Sequence, residues 1–481
     1  MPRHLLDALL QHAKERPDAI ALRCPGWPTL TWRQLVVAVD HAAAAMESLV
    51  SSSRQDPDTT NMDGDKRGKR FVYESQNTTS VVVNALACIA CGAIEIPIDS
   101  KLPCDSRKEM FERSGGVALT LTNNPTLESL GNFDESFARL QQSADSVDVD
   151  QASLVLWTSG TTAKPRGVML SQRNLTTNAA AKLAAVPQNV DDVRLTLLSL
   201  SHAYARTCDM GTWLLSGCQW TLDYGRRGLD RIATESLPTM INGVPMLARQ
   251  IVERLDAGDP NLSRLRVLGC GGAAMSVDLF ERFGLHGIEV IQGYGCTETS
   301  PVICSSSPGD TAVGCVGPPV AGCETRIVDQ RLFVRGPLVM LGYLDDPAST
   351  ALKIDHEGWL DTGDLVESAP NGQLQIIGRA DDVIVLENGY KVHPLAIEQT
   401  LQRKTGCEYA VLLSVNQSLL VAIQADSIDQ DRIREIIRPL LPAGTSVSIE
   451  RIDPPLAHSS GELTSKSTPR RHSISKRFGG G

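Results

Sequence analysis

The feature that most constrains this chain is an alternation repeated through its middle. Short apolar runs are followed by glycine-containing turns and then by segments whose apolar residues recur at helical spacing. Phe71-Val72-Tyr73 precedes a helix from about Thr79, which leads into a run from Ala93 to Ile98. Residues 195–200, 219–222, 239–242, 266–269 and 289–293 read as further strands. Helical patterns over residues 204–216, 229–235, 245–255 and 276–283 separate them. Strands joined by helices imply a parallel-rich sheet with helices on its faces, so the fold class is α/β. Gly-rich turns sit at several C-terminal strand ends, where open α/β sheets bind ligands.

The flanks differ from this middle. Residues 3–15 read as an amphipathic helix ending before Pro17, and residues 19–22 as a short strand. Thr31 is placed to cap a helix running to about Val50. Residues 51–70 are polar and charged, and read as an exposed loop. After about Val313 the texture becomes short strands with Gly and Pro turns, and it changes again at Gly378-Arg379. A chain of 481 residues is too long for one small core. We therefore expect a large domain over residues 1–378, including a short β-rich subdomain, and a small mobile α+β domain over 379–481 that ends in a basic tail at 466–477.

Composition narrows the function. A formal charge of −10 argues against a general nucleic-acid binder. The 12 cysteines are scattered, and the one close pair, Cys88 and Cys91, lies in an apolar run without a second pair. Buried free thiols in a reducing cytoplasm are the expectation. The N-terminal stretch carries charges throughout, unlike a signal peptide. The longest apolar region, residues 81–94, contains Asn84 and falls short of the ~20 residues of a membrane span. A cytoplasmic protein follows, with peripheral membrane contact through the basic tail left open. Oligomeric state is not readable.

One loop carries chemistry. SGTTAKPRG (159–167) lies between the apolar runs 154–157 and 168–170, giving strand, loop, strand. Hydroxyls, backbone N–H groups, Lys164 and Arg166 converge there, a set suited to a polyphosphate. It is not the GxxxxGK[ST] phosphate loop, since no Gly precedes Lys164 and Pro165 follows it. A polar surface hairpin is the alternative.

Three further motifs follow in order: GYGCTET (293–299), GWLDTGDL (358–365) and GRADDVIVLENGYKVHPLAIE (378–398). Together with WTSGTTAKPRGV (157–168) they closely resemble the adenylate-forming superfamily of AMP-dependent ligases. The long-chain acyl-CoA synthetase branch is the nearest in pattern. The resemblance covers nearly the whole chain. It implies activation of a carboxylic acid by ATP and Mg²⁺ to an acyl adenylate, with loss of pyrophosphate, and then transfer of the acyl group to CoA. It assigns Ser159, Gly160, Thr161, Thr162 and Lys164 to the β and γ phosphates. Tyr294 with Gly295 would hold adenine, and Thr297 the α-phosphate. Glu298, with Thr162, would hold Mg²⁺. Gly271, Gly272 and Ala273 would line the adenine and acyl site, Asp364 would take both ribose hydroxyls, and Arg379 the ribose or phosphate end. His202 would sit near the carboxylate, Gly389 resembles the turn glycine that approaches the CoA tunnel in relatives, and Lys391, at a position where some relatives have a basic residue, would be cofactor-binding. Trp359 and Asp361 are read as structural. Arg379-Ala380-Asp381 matches the family's hinge, with Asp381 as pivot.

Two departures stand out. The family usually has Gly at position 163 and Lys at 166, where this chain has Ala163 and Arg166. A C-terminal lysine bridges carboxylate and α-phosphate in the family, within roughly G-x-L-T-x-x-x-K-x-K-R. Here Gly461-Glu462-Leu463-Thr464 begins that pattern, but Thr468 falls at the lysine position and Lys466 lies two residues earlier. Lys466 serving as the catalytic lysine, loss of that lysine, and use of another basic residue all stay open. The segments 201–218 and 241–255 resemble long-chain acyl-CoA synthetases more than amino-acid adenylation domains, which implies a fatty or other apolar acid. The alternatives are an aryl acid, an acyl carrier protein as acceptor, or a homologue that binds nucleotide or acyl group with impaired catalysis.

Overall fold

The computed structural model of the protein describes residues 2–53, 69–120, 131–158, 165–272, 275–369, 372–386, 389–416, 418–442, 444–457, 460–463 and 468–480. They fall into two units. One takes residues up to 158, 166–324 and 334–360; the other takes 325–333 and the chain from 361 onward.

An eight-stranded sheet dominates the first unit. Its spatial order is Val302–Ser305, Glu289–Gly295, Val267–Cys270, Met240–Gly243, Val193–Thr196, Gln219–Leu222, Ile20–Arg23 and Leu30–Thr31. All pairs are parallel except the outermost at each edge. Alternation along the strands explains the burial on both faces. Ile241, Leu268 and Val290 pack with Leu247, Ile251, Leu279 and Phe283 of the helices Pro245–Asp256 and Val277–Leu285. Their neighbours Met240, Val267 and Ile291 pack with Val186 on the opposite side.

A six-stranded sheet has the order Gly342–Tyr343, Gly167–Ser171, Ala152–Trp157, Ile94–Asp99, Arg70–Ser75 and Val117–Ala118. Ala152–Trp157 and Gly167–Ser171 pair antiparallel, with Trp157 opposite Gly167. Thr31 caps the helix Trp32–Ser53 as expected, its Oγ1 accepting from Gln34 N at 3.3 Å while Gln34 Oε1 accepts from Thr31 N at 2.9 Å.

In the second unit, Tyr409–Val415, Ser418–Gln424 and Val447–Arg451 form a three-stranded sheet. One face buries Leu412, Val421 and Ile423 against Ile397 and Leu401 of Pro394–Thr405 and Ile433 of Gln430–Ile437. The other buries Val411, Leu413 and Leu420 against Leu456, Leu463 and Ile474.

Four expectations need correction. The strand expected over 195–200 is Val193–Thr196, and residues 197–202 are a loop. The helix expected over 204–216 is three pieces, Ala203–Ala205, a π-helical Arg206–Gly211 and Thr212–Ser216. The widened turn carries two buried ionic side chains, Arg206 bonded to Glu95 and Asp209 bonded to Arg194, which hydrophobic periodicity does not encode. The basic tail is also not simply solvated. It contains the helix Arg471–Arg477, with Ile474 fully buried and Arg471 and Arg477 in ion pairs. The exposed loop expected over 51–70 begins later, since the helix runs to Ser53, and residues 54–68 lie outside the described residues. Among the described residues no helix is long and apolar enough to cross a membrane.

Candidate active site

Ser159, Gly160, Thr161, Thr162 and Lys164 lie outside the described residues, as do Ala273 and Lys466. The residues flanking 159–164 are described. Thr158 N donates to Arg166 O at 2.9 Å, and Arg166 N to Thr158 Oγ1 at 3.3 Å. The Arg166 guanidinium lies 5.2 Å from the centre of the Tyr343 ring.

The second motif ends the strand Glu289–Gly295, at the C-terminal edge of the parallel sheet. Tyr294, half-buried, sits opposite Cys304. Gly295 is required sterically, because a Cβ there would lie 1.7 Å from Pro301 O. Thr297 and Glu298 follow on a single 3₁₀ turn, Thr297–Thr299. Thr299 Oγ1 fixes that turn by accepting from Cys296 N at 3.2 Å and donating to Pro301 O at 2.8 Å. Glu298 Oε1 accepts from the Tyr343 hydroxyl at 2.9 Å. Burial first, and then the Glu298 charge, push the Tyr343 phenol pKa up. A carboxylate oxygen is the donor that Mg²⁺ takes, usually one or two of them beside substrate phosphates. Glu298 fits that requirement, while among the described residues no cluster of three or more His, Cys, Asp or Glu suits a metal.

A second group collects around His202. Its Nε2 lies 3.6 Å from Oδ2 of the buried Asp99, which ends the strand Ile94–Asp99. Asp99 Oδ1 accepts from Lys101 N at 2.9 Å, and the Lys101 ammonium lies 3.2 Å from the centre of the Tyr224 ring. Burial, with Asp99 adding to it, pushes the Tyr224 phenol up to about 12. Gly271 passes under Tyr204, where a Cβ would lie 3.2 Å from the ring. Gly272 has φ +81°, a left-handed backbone that glycine adopts without strain. Behind Tyr204, Asp209 accepts from Arg194 at 2.9 Å and from Asn242 Nδ2 at 2.6 Å. Lys182 Nζ donates to Ser305 Oγ at 2.8 Å, and burial lowers its pKa to about 8.

In the second unit Asp364 and Arg379 are register partners on the strands Leu360–Ser368 and Leu374–Arg379. Arg379 Nη1 donates to Asp364 Oδ1 at 3.0 Å, and its Nη2 reaches Asp381 at 3.5 Å. Gly363, at φ +76°, leaves room for this arginine, since a Cβ there would meet Nη2 at 2.8 Å. Asp361 pairs with Arg331, Nε to Oδ1 at 2.8 Å, and accepts from Gly363 N at 2.9 Å. Lys391 is exposed on the short strand Lys391–Val392, and Gly389 turns before it at φ +79°. Leu463 and Pro469 form a β-bridge, and Arg470 N donates to Glu462 O at 2.7 Å.

Sequence reasoning missed Asp99, Tyr204 and Tyr343 as neighbours of the candidate site residues. Asp99 was findable as the polar end of the apolar run IEIPID, and Tyr343 as the aromatic of a Gly-Tyr pair.

A family model described as AMP-binding enzyme matches residues 61–344. Feruloyl-CoA synthase from Amycolatopsis sp is 26% identical over 497 residues, covering 96% of this chain and 98% of that protein. A 3-[(3aS,4S,7aS)-7a-methyl-1,5-dioxo-octahydro-1H-inden-4-yl]propanoyl:CoA ligase from Rhodococcus jostii (strain RHA1) is 29% identical over 455 residues, covering 85% of each chain. Among solved structures, the O-succinylbenzoate CoA synthetase from Bacillus subtilis in complex with AMP aligns with a TM-score of 0.78 at 21% identity, covering 97% of each chain. At that identity the structural likeness establishes the fold.

Proposed function

The chain belongs to the AMP-binding enzyme family and is an AMP-forming acid–thiol ligase, and from that premise we propose how its residues divide the reaction. ATP, Mg²⁺ and CoA are the partners of such a ligase, with a carboxylic acid as the group activated. The observation that carries the reading is Glu298, a carboxylate held by Tyr343 at the C-terminal edge of a parallel sheet. Tyr294 and Gly295 take the adenine there, and Thr297 donates to the α-phosphate. Glu298, with Thr162, holds Mg²⁺, which offsets phosphate charge when bound. Ser159, Gly160, Thr161 and Lys164 hold the departing pyrophosphate. The segment of Gly271, Gly272 and Ala273 flanks adenine and acyl group, and His202, oriented by Asp99, faces the acid's carboxylate.

Asp364 binds the ribose hydroxyls with Arg379 beside it. The chain then turns about Asp381, at the start of a small domain over residues 379–481, so that adenylation and thioester formation use different arrangements. Lys466 serves adenylation and Lys391 the CoA-bound arrangement. Lys466→Ala is expected to cut adenylation at least 100-fold while leaving thioester formation from supplied acyl adenylate largely intact, since a charge-assisted contact to the reacting phosphate acts only in the first step. Equal losses in both steps, or none, would count against this division.

The acid is an apolar carboxylic acid, and the segments 201–218 and 241–255 favour a fatty acid. An aryl acid is the second reading, supported by the feruloyl-CoA synthase likeness over nearly the whole chain. Mass spectrometry of products from alkyl and aryl acids incubated with ATP and CoA separates the two. The proposed setting is cytoplasmic.

A further inference from the structure

We infer that Tyr343 is a positioning residue for the metal carboxylate, holding Glu298 through its hydroxyl and tying it to the base of the phosphate loop through Arg166. This rests on the reading of Glu298 as the Mg²⁺ ligand. A glutamate on a single half-buried turn has three side-chain torsions to fix, and the 3₁₀ segment Thr297–Thr299 offers no helix to restrain them. Two contacts supply the restraint. Met340 N donates to Glu298 O at 2.9 Å and anchors the backbone. The Tyr343 hydroxyl donates to Oε1 at 2.9 Å and anchors the carboxylate. The bond uses one oxygen, and an ionised carboxylate has two.

Tyr343 is itself well held. It is 4% exposed and lies on the strand Gly342–Tyr343, which pairs antiparallel with the strand after the phosphate loop. Tyr343 sits opposite Val168 in that pairing, and Gly342 opposite Met169. Arg166, immediately before that strand, lays its guanidinium 5.2 Å from the ring centre. The loop base and the carboxylate thus share one rigid aromatic side chain. Mg²⁺ held by Glu298 would gain from a carboxylate whose position is fixed in advance by that support.

The test measures ATP binding to the full chain by calorimetry, with Mg²⁺ and with EDTA, alongside the Mg²⁺ dependence of ATP–pyrophosphate exchange. Tyr343→Phe removes the hydroxyl and keeps the ring. It is expected to weaken binding in Mg²⁺ about tenfold, leave binding in EDTA unchanged, and raise the Mg²⁺ needed for half-maximal exchange by a similar factor. Arg166→Gln is expected to move the same quantities in the same direction, by less. A Tyr343→Phe protein with the wild-type Mg²⁺ increment overturns the proposal, even if its melting temperature falls. Glu298→Gln separates the causes. Loss of the Mg²⁺ increment in Glu298→Gln alone sinks only the role of Tyr343. An increment intact in both variants sinks the metal assignment and the proposal with it.

Discussion

Asp364 and Arg379 face each other across two antiparallel strands, joined by a bond of 3.0 Å from Nη1 to Oδ1. The carboxylate proposed to bind ribose is thereby oriented by its register partner. Asp364→Ala should weaken AMP and ATP binding by roughly 10- to 100-fold, the size of losing hydrogen bonds to a charged group. Calorimetric titration with AMP checks this, and unchanged affinity would remove Asp364 from the ribose site.

Gly295 and Gly284 make a matched pair. A Cβ at Gly295 would sit 1.7 Å from a backbone oxygen, whereas one at Gly284, inside the helix Val277–Leu285, meets nothing within 4 Å. Gly295→Ala should destabilise the protein by more than about 2 kcal/mol and disturb the end of the strand Glu289–Gly295. Gly284→Ala should stabilise by about 0.5–1 kcal/mol, because a helix interior favours alanine. Thermal denaturation of both variants measures the contrast.

His4 and His12 give stability a pH dependence of known sign. Burial lowers both pKa values. His4 Nε2 bonds Ala144 O at 3.0 Å while Nδ1 accepts from Asp7 N at 3.2 Å, the pattern of a neutral ring. His12 packs 4.8 Å from Trp32, in a cluster with Trp213 and Trp220. The unfolded chain therefore binds more protons just below the ordinary histidine pKa. Stability should be level above about pH 7 and fall as pH drops through about 6.5, by at most about 1.4 kcal/mol per pH unit for each histidine. Melting temperatures at pH 7.5, 6.5 and 5.5 test it, and a flat profile would contradict the neutral assignment.

Arg471 is the anchor of the C-terminal helix. It pairs with Glu398, Nη2 to Oε2 at 2.7 Å, reaches Asp382 at 3.3 Å and donates to Leu412 O at 3.0 Å. Glu398 in turn accepts from Leu412 N at 2.6 Å. Arg471→Met leaves Glu398 buried without its cation, which should cost about 3–5 kcal/mol. Hydrogen exchange should show early opening of the strand Tyr409–Val415, with the strand Met240–Gly243 of the other unit unaffected.

Much of this was legible in the chain. The apolar runs and helical patterns over residues 71–293 predict the parallel sheets because both faces of those strands must be apolar, as Met240 and Ile241 illustrate. Motif order pointed to Glu298, Asp364 and Arg379. What the pattern could not show is pairing between distant polar residues. Nothing local to Tyr343 announces Glu298, and nothing in TCDMGT announces that Asp209 is buried against Arg194. Such contacts arise from tertiary packing across many residues of sequence separation. The π-helical turn and the ion-paired basic tail were misread for the same reason.

The central claim is adenylation of an apolar carboxylic acid. ATP–pyrophosphate exchange over a panel of short, medium, long and aryl acids, with Mg²⁺ and without CoA, tests it directly. Exchange that depends on one class of acid, and that gives way to thioester and AMP once CoA is added, is the predicted result. ATP binding with no acid-dependent exchange anywhere in the panel would contradict it and leave a nucleotide-binding homologue.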